Sequence, residues 1–391
     1  MEKLMRRALL LNVALEATAL ATACAGGAAQ AAVPRSVPTQ SVAEAVTTPS
    51  SWTAEWDGVI EAARAEGKLS LLTWGETWGG AGYPRVVEGF QQAFPGVVVE
   101  RHSESSASVW LNKVRQGRRA GTDAFDLALV QPSSALLEGR PEGMWAPLKP
   151  LLLRPDVLDD SAWRDGLHFR FLDQDGDLCF SWEYLVIHAY AINTDVVPEG
   201  EIRTVEDLLH PRWRGKIVSS DPRLGLGLNS AAGVAMSRGT EVLKQLLVDQ
   251  RPAIRTQARQ LVEAIVRGTH PIALGVRPKA LQPFLDQGLG GQVRYLDLPE
   301  ADFAVTTAML YFDRAPHPAA ARLFANWILT QEGQTILTSS LPTNSARTDV
   351  PAFEPQGVGT AGGAYYEPDR EASYQHTANT QQLIQRLLGR A

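Results

Sequence analysis

The stretch LLTWGETWGG, residues 71–80, joins an apolar run to two tryptophans, a glutamate and three glycines. Indole and phenol rings stack on planar or cationic groups, so Trp74 and Trp78, with Tyr83 close behind, are candidates to grip a solute. Thr73 and Glu76 add a hydroxyl and a carboxylate beside them. Trp74 is equally suited to packing beneath a helix. Arg277 follows the apolar run HPIALG and offers a planar fork for carboxylate, phosphate or phosphonate, an exposed loop arginine being the other reading. LGLGLNSAAG, residues 224–233, sets glycines, Asn229 and Ser230 where a helix begins. Free backbone N–H groups there attract anions, although a helix cap accounts for the same residues. Ser105 in HSESS and Ser133 in QPSS follow two further apolar runs, and Tyr190 lies within a long apolar and aromatic stretch.

Reactive sets are missing. The chain has no Gly-Lys-Ser or Gly-Lys-Thr phosphate loop, no H-E-x-x-H, no G-x-S-x-G and no C-x-x-C. DQDGDL, residues 173–178, spaces Asp173, Asp175 and Asp177 like the start of a calcium loop, but its glycine comes too early and no closing glutamate follows, so a hairpin turn is the expectation. No catalysis, cofactor or metal is expected, which leaves binding.

The 391 residues are 45% hydrophobic and 20% charged, as in a soluble protein of two or more domains. The net charge of -6, with no long basic run, argues against nucleic acid as a partner. Lys3, Arg6 and Arg7, then ALLLNVAL, then ATAC ending at Cys24, form an export signal too short to span a membrane stably. Two readings are open: lipidation of Cys24, with acyl chains holding the protein at a membrane surface, or cleavage near AQA to release a soluble protein. With Cys24 lipidated, Cys179 is the one thiol left and no internal disulfide forms. Residues 25–54, rich in Ala, Ser, Thr, Pro and Gly, are expected to be a disordered tether, with the folded body starting near Trp56.

From there strands and helices alternate. KLSLLTW, VVVE and FDLALV read as strands separated by PRVVEGFQQAF and SVWLNKVRQGRRAG, the latter a helix with Val109, Trp110 and Val114 inward. Near-continuous apolar strands imply a parallel sheet covered on both faces, with ligands at the carboxyl ends. A hairpin and long strand follow DQDGDL. A second alternation runs from WRGKIVSSDP to HPIALG, and HPAAARLFANWILTQEGQTIL forms an apolar helix ending near Gly333. The expected organisation is a signal over 1–24, the tether over 25–54, a first lobe from 56–190 and 295–345, a second from 191–294, and a tail over 346–391 wrapping the surface. The chain crosses near 186–193 and 293–298, leaving a cleft suited to hinge closure.

The segments EAARAEGKLSLLTW, AFPGVVVE, YAINTDVV, DLLHPRWRGKIVSSDP, RGTHPIALG and APHPAAARLFANWILTQEGQ run in family order over roughly 56–345 and together resemble the bacterial extracellular solute-binding proteins of ABC importers. The likeness is to the subgroup of ferric-iron, thiamine, polyamine and phosphonate binders. It implies an α/β, two-lobed type II periplasmic-binding fold, an exported location, and delivery of a small solute to an ABC permease, with a sensor-presenting role as the alternative and an exported hydrolase as a third class. Iron-binding relatives hold ferric ion with paired tyrosines. VRPKA, after HPIALG, has none, and the adjacent Tyr365 and Tyr366 lie in the tail, so an organic or anionic solute is expected ahead of a ferric species.

Overall fold

Apolar runs of this chain become strands of two mixed sheets in the computed structural model, which describes residues 50–74, 83–341, 343–360 and 363–389, all within the compact unit Pro49–Ala391. In chain order the strands are β1 (Lys68–Trp74), β2 (Val98–Glu104), β3 (Leu127–Val130), β4 (Trp145–Ala146), β5 (Phe180–Ser181), β6 (Leu185–Ile187), β7 (Tyr190–Asn193), β8 (Ile217–Ser220), β9 (Ala253–Arg255), β10 (Ile272–Leu274), β11 (Val293–Tyr295), β12 (Phe303–Val305) and β13 (Ala308–Phe312). The longer helices are α1 (Ser50–Glu66), α2 (Tyr83–Ala93), α3 (Ala107–Ala120), α4 (Gly225–Ser237), α5 (Ala258–Val266), α6 (Pro278–Leu285), α7 (Pro318–Ile328), α8 (Gln331–Ser340) and α9 (Tyr374–Leu388).

The first sheet has the order β2-β1-β3-β13-β4, with β5 also on β13. β1 runs parallel to β2 and β3, while β13 is antiparallel to β3, β4 and β5. Strand alternation sends Leu69 and Leu71 into one core with Phe90, Phe324 and Trp327, and Leu72 into another with Trp110 and Leu111. The second sheet has the order β11-β7-β10-β8-β9. Its Ile217, Ile272 and Leu274 pack on one side with Ala231 and Val234 of α4, and its Val218 and Ala273 on the other with Leu261 and Ile265 of α5. Both sheets are thus covered on two faces, which is why their strands read as unbroken apolar runs.

β6 and β12 form a separate antiparallel pair between the two sheets in sequence, with Ala304 opposite Val186 and Phe303 opposite Ile187. Val186 and Ala304 join the core of the first sheet; Leu185, Ile187 and Phe303 join that of the second. The segment just before the tail borders one edge of this ribbon and the tail borders the other. Tyr184 N–H donates to the Asn344 carbonyl at 3.1 Å and Ala304 N–H to the Tyr366 carbonyl at 2.8 Å. Arg370 donates to the Phe169 carbonyl at 2.8 Å, and α9 packs on α4, where Gln381 donates to the Arg223 carbonyl at 2.9 Å.

Several expectations are corrected. α1 begins at Ser50, with Trp52 partly buried against the core, so the tether expected through residue 54 loses its end to a helix. α3 turns Leu111 inward in place of Val109, which is 42% exposed, because Trp110, Leu111 and Val114 share one helical face. The crossings lie at β6 and β12, so the return falls later than 293–298, and Tyr190 already belongs to the second sheet. The single long strand expected after DQDGDL is three short ones, β5, β6 and β7. The turn itself is built on Asp173, whose carboxylate accepts the N–H groups of Asp177, Leu178 and Cys179 at 3.1, 3.1 and 2.9 Å. The helix expected to end near Gly333 is two helices: α7 stops at Ile328 and Thr330 caps α8 by accepting the Gly333 N–H at 3.0 Å.

Gly333 sits where α8 turns back against α7, and a Cβ there would lie 2.3 Å from the Trp327 carbonyl oxygen. Gly333→Ala is expected to destabilise the protein by about 1–3 kcal/mol, since backbone cannot yield as a side chain does. Urea unfolding of the variant against the parent checks this.

Candidate functional site

Strand order determines what reaches one common edge. β1 and β3 are parallel neighbours, with Thr73 opposite Leu129, so their carboxyl ends deliver Trp74 and Gln131 side by side. In the second sheet β8 and β10 are also parallel neighbours, and α4 and Arg277 follow their ends. This junction is tight. Gly275 has φ +77°, and a Cβ there would lie 1.9 Å from Ser220 Oγ, while a Cβ on Gly227 would lie 2.4 Å from the Asp221 carbonyl oxygen. Side-chain-free backbone at both positions lets the first turn of α4 press against the strand ends.

These groups line a cleft of about 220 Å³. Trp74 and Gln131 come from the first sheet; Gly225, Leu226, Asn229 and Arg277 from the second; Glu183, Val305, Thr306 and Thr307 from the crossing ribbon and its flanks; and Asp369 from the tail. The α4 N-terminus begins after Leu224, which supplies no side-chain cap, so its first N–H groups are presented beside Gly225 and Leu226.

Burial shapes the charges. Glu183 is 3% exposed, its carboxylate is hydrogen-bonded by Thr343 and Thr307, and its carbonyl lies 2.7 Å from Thr306 Oγ1. Desolvation pushes its carboxyl above the usual carboxylate range against the pull of those hydroxyls and Arg277. Arg277 is lowered by burial and supported by Glu183 and Glu354. Asp369 accepts the Thr306 N–H at 3.2 Å, and burial pushes it up to about 7, with Glu183 and Glu367 adding to the rise.

Of the residues singled out in the sequence, Trp74, Asn229 and Arg277 are brought to this cleft. Thr73 is fully buried, with Arg101 Nη1 donating to its hydroxyl at 3.2 Å. Ser105 is exposed after β2, the edge strand and so one strand farther out. Ser133 lies in a short helix, and the residue its loop delivers is Gln131. Tyr190 and Ser230 face a small void of about 10 Å³ lined also by Leu243, Leu246 and Leu274. These five therefore do not line the cleft. Glu76, Trp78 and Cys24 lie outside the described residues. Glu183, Thr306, Thr307 and Asp369 were not foreseen. A lone acid in FSWEYLVI and paired threonines in AVTTAML were the signals: polar groups inside apolar runs need a buried partner or a ligand.

His188, Asp297 and Asp302 could together approach a metal ion. Both imidazole nitrogens are already engaged, Nδ1 with Asp302 Oδ2 at 2.7 Å and Nε2 with the Gln356 carbonyl at 2.8 Å, so the ring has no lone pair to offer while these contacts hold.

Residues 171–340 match the family model of the bacterial extracellular solute-binding proteins. Over that segment the chain is similar to this family. The family binds solutes and is not enzymatic. No curated protein matches the chain. Solved structures share its fold. A solute-binding protein of Bordetella parapertussis superposes with a TM-score of 0.65 at 14% identity over 83% of this chain and 99% of the other. Iron-bound HitA of Pseudomonas aeruginosa gives 0.57 at 17% identity over 82% and 99%. The spermidine/putrescine-binding PotD of Streptococcus pneumoniae gives 0.55 at 16% over 82% and 98%. These are type II periplasmic-binding structures, and the α/β chain with two mixed sheets has their fold. Among the described residues no helix is long and apolar enough to cross a membrane.

The raised Asp369 has a consequence for stability. Between its ordinary 3.8 and about 7 the folded protein holds a proton that the unfolded chain has released, so this group makes stability fall as pH rises through that window. Asp369→Asn removes the effect. Measured by urea unfolding, the stability of the variant minus that of the parent should increase as pH rises from 3.8 towards about 7; a difference independent of pH would contradict a desolvated carboxylate here.

Proposed function

We propose that this protein captures a small organic solute bearing an anionic group in the cleft between its two sheets and hands it to the permease of an ABC importer. The observation that carries the reading is the cleft of about 220 Å³ to which both sheets, the crossing ribbon and the tail contribute, with Arg277 and the uncapped start of α4 together on one wall. A guanidinium beside free helix N–H groups is a receptor for carboxylate or phosphate. β6 and β12 then act as a hinge between two lobes built on the two sheets, and the solute favours the closed arrangement because only there do all its contacts form. Import rather than sensing is supported by the resemblance to an ABC transporter structure from Clostridium perfringens.

An organic solute is favoured over bare ferric ion because tyrosine is absent from the described lining of the cleft. Tyr365 and Tyr366 are used elsewhere: the Tyr365 hydroxyl accepts the Thr360 N–H at 2.7 Å, and that of Tyr366 pairs with Ser373 and Thr377. Export follows from the N-terminal signal, with lipid on Cys24 as the anchor. Mass analysis of protein purified from membranes is expected to find acyl chains on Cys24, and Cys24→Ala is expected to release the protein to the soluble fraction.

Native mass spectrometry of freshly purified protein, with thermal-shift screening of organic anions, polyamines and ferric ion, identifies the class, because a ligand of the native state alone raises the melting temperature. For the solute so found, Arg277→Ala is expected to cost about 2–5 kcal/mol of binding with the fold intact. Asn229→Ala is expected to cost about 0.5–1.5 kcal/mol. Calorimetry showing full affinity in Arg277→Ala would remove the anion from this wall.

A further inference from the structure

The tail lies beyond the matched residues 171–340, yet it supplies Asp369 to the lining of the cleft. We propose that Asp369 holds an ammonium group of the solute while Arg277 and the first turn of α4 take its anionic group, so that the ligand is a small zwitterion with its charges at separate ends. The inference rests on the reading that the cleft takes an anionic solute.

Among the described residues Asp369 has one hydrogen-bond donor to its carboxylate, the Thr306 N–H, at the long end of the normal range. A carboxylate has about four acceptor positions. Of the cations nearby, Arg370 is paired with Glu367 at 2.8 Å and donates to the Phe169 carbonyl, while Arg170, which lines a small void with Asp369, lies 3.7 Å from Asp165 and makes no hydrogen bond through Nε or Nη2. Glu183 differs, since Thr343 and Thr307 satisfy its carboxylate and near-complete burial favours its neutral form. Asp369 keeps part of its surface open to the cleft. The upward shift of the Asp369 pKa accords with a desolvated carboxyl to which, among the described residues, no cation donates a hydrogen bond. An incoming ammonium supplies a counter-ion, and because the carboxyl is partly desolvated the pair discriminates against a solute without one. A volume of about 220 Å³ suits an ω-amino acid or an aminoalkyl phosphate rather than a larger molecule.

The full-length protein is titrated by calorimetry with two matched pairs of probes, 4-aminobutyrate against butyrate and 2-aminoethyl phosphate against ethyl phosphate. The amino-bearing member of at least one pair is expected to bind roughly tenfold or more tightly than its partner. Asp369→Asn, which keeps an acceptor for Thr306, is expected to collapse that ratio towards one, and Asp369→Glu to restore part of it. Equal affinities within both pairs in the parent protein, or a ratio surviving in a folded Asp369→Asn, overturns the inference and leaves the anionic reading of Arg277 standing. Binding of none of the four probes overturns both. Should Asp369→Asn not fold, the comparison within pairs on the parent protein alone decides.

Discussion

Two facing pairs, Val186 with Ala304 and Ile187 with Phe303, carry the join on which the rest of the molecule depends. A two-stranded ribbon alone in water is marginal, since it buries too little to offset its ordering. Here it is buried on both faces because alternate residues enter different cores. The ribbon is stable only because both sheets are folded, and each sheet gains apolar side chains from it. Polar groups flank this dry ribbon: Glu183 just before β6, and Thr306 and Thr307 just after β12. The crossing point therefore adjoins the lining of the cleft.

That adjacency explains the character of the site. Charges placed beside a join made of apolar side chains lose much of their hydration, and the carboxyls of Glu183 and Asp369 are raised accordingly, while Arg277 is lowered. Groups in this condition interact more strongly with an incoming charge than surface groups do, because less solvent has to be displaced when the contact forms. Selectivity in such a cleft comes from matching the sign and position of each charge rather than from the extent of contact.

Much of the fold was legible. KLSLLTW, FDLALV and HPIALG gave up their strands because each is apolar without interruption, the mark of a sheet covered on both faces. The first helix was read short because Ser50 and Ser51 look like loop, although Trp52 anchors that turn to the core. The helix break before Thr330 was missed because its apolar spacing continues across it; only a capping threonine three residues ahead of a glycine marks it. At the site, Trp74, Asn229 and Arg277 could be found from strand ends and helix starts, which are local signals. Glu183 and Asp369 could not, since their positions depend on a ribbon and a tail that meet only after the chain has crossed twice. Tyr190 and Ser230 line a small void with Leu243, Leu246 and Leu274 in place of the cleft, a difference that no local pattern around either residue marks.

The alternation of the ribbon also constrains how this chain can diverge. Adding or deleting one residue within β6 or β12 would turn Val186 and Ile187, or Phe303 and Ala304, to opposite sides and spoil the packing of two cores in a single event. Descendants of this sequence are therefore free to vary the lengths of their outer loops but are confined, along these two short strands, to exchanging one side chain for another of similar bulk.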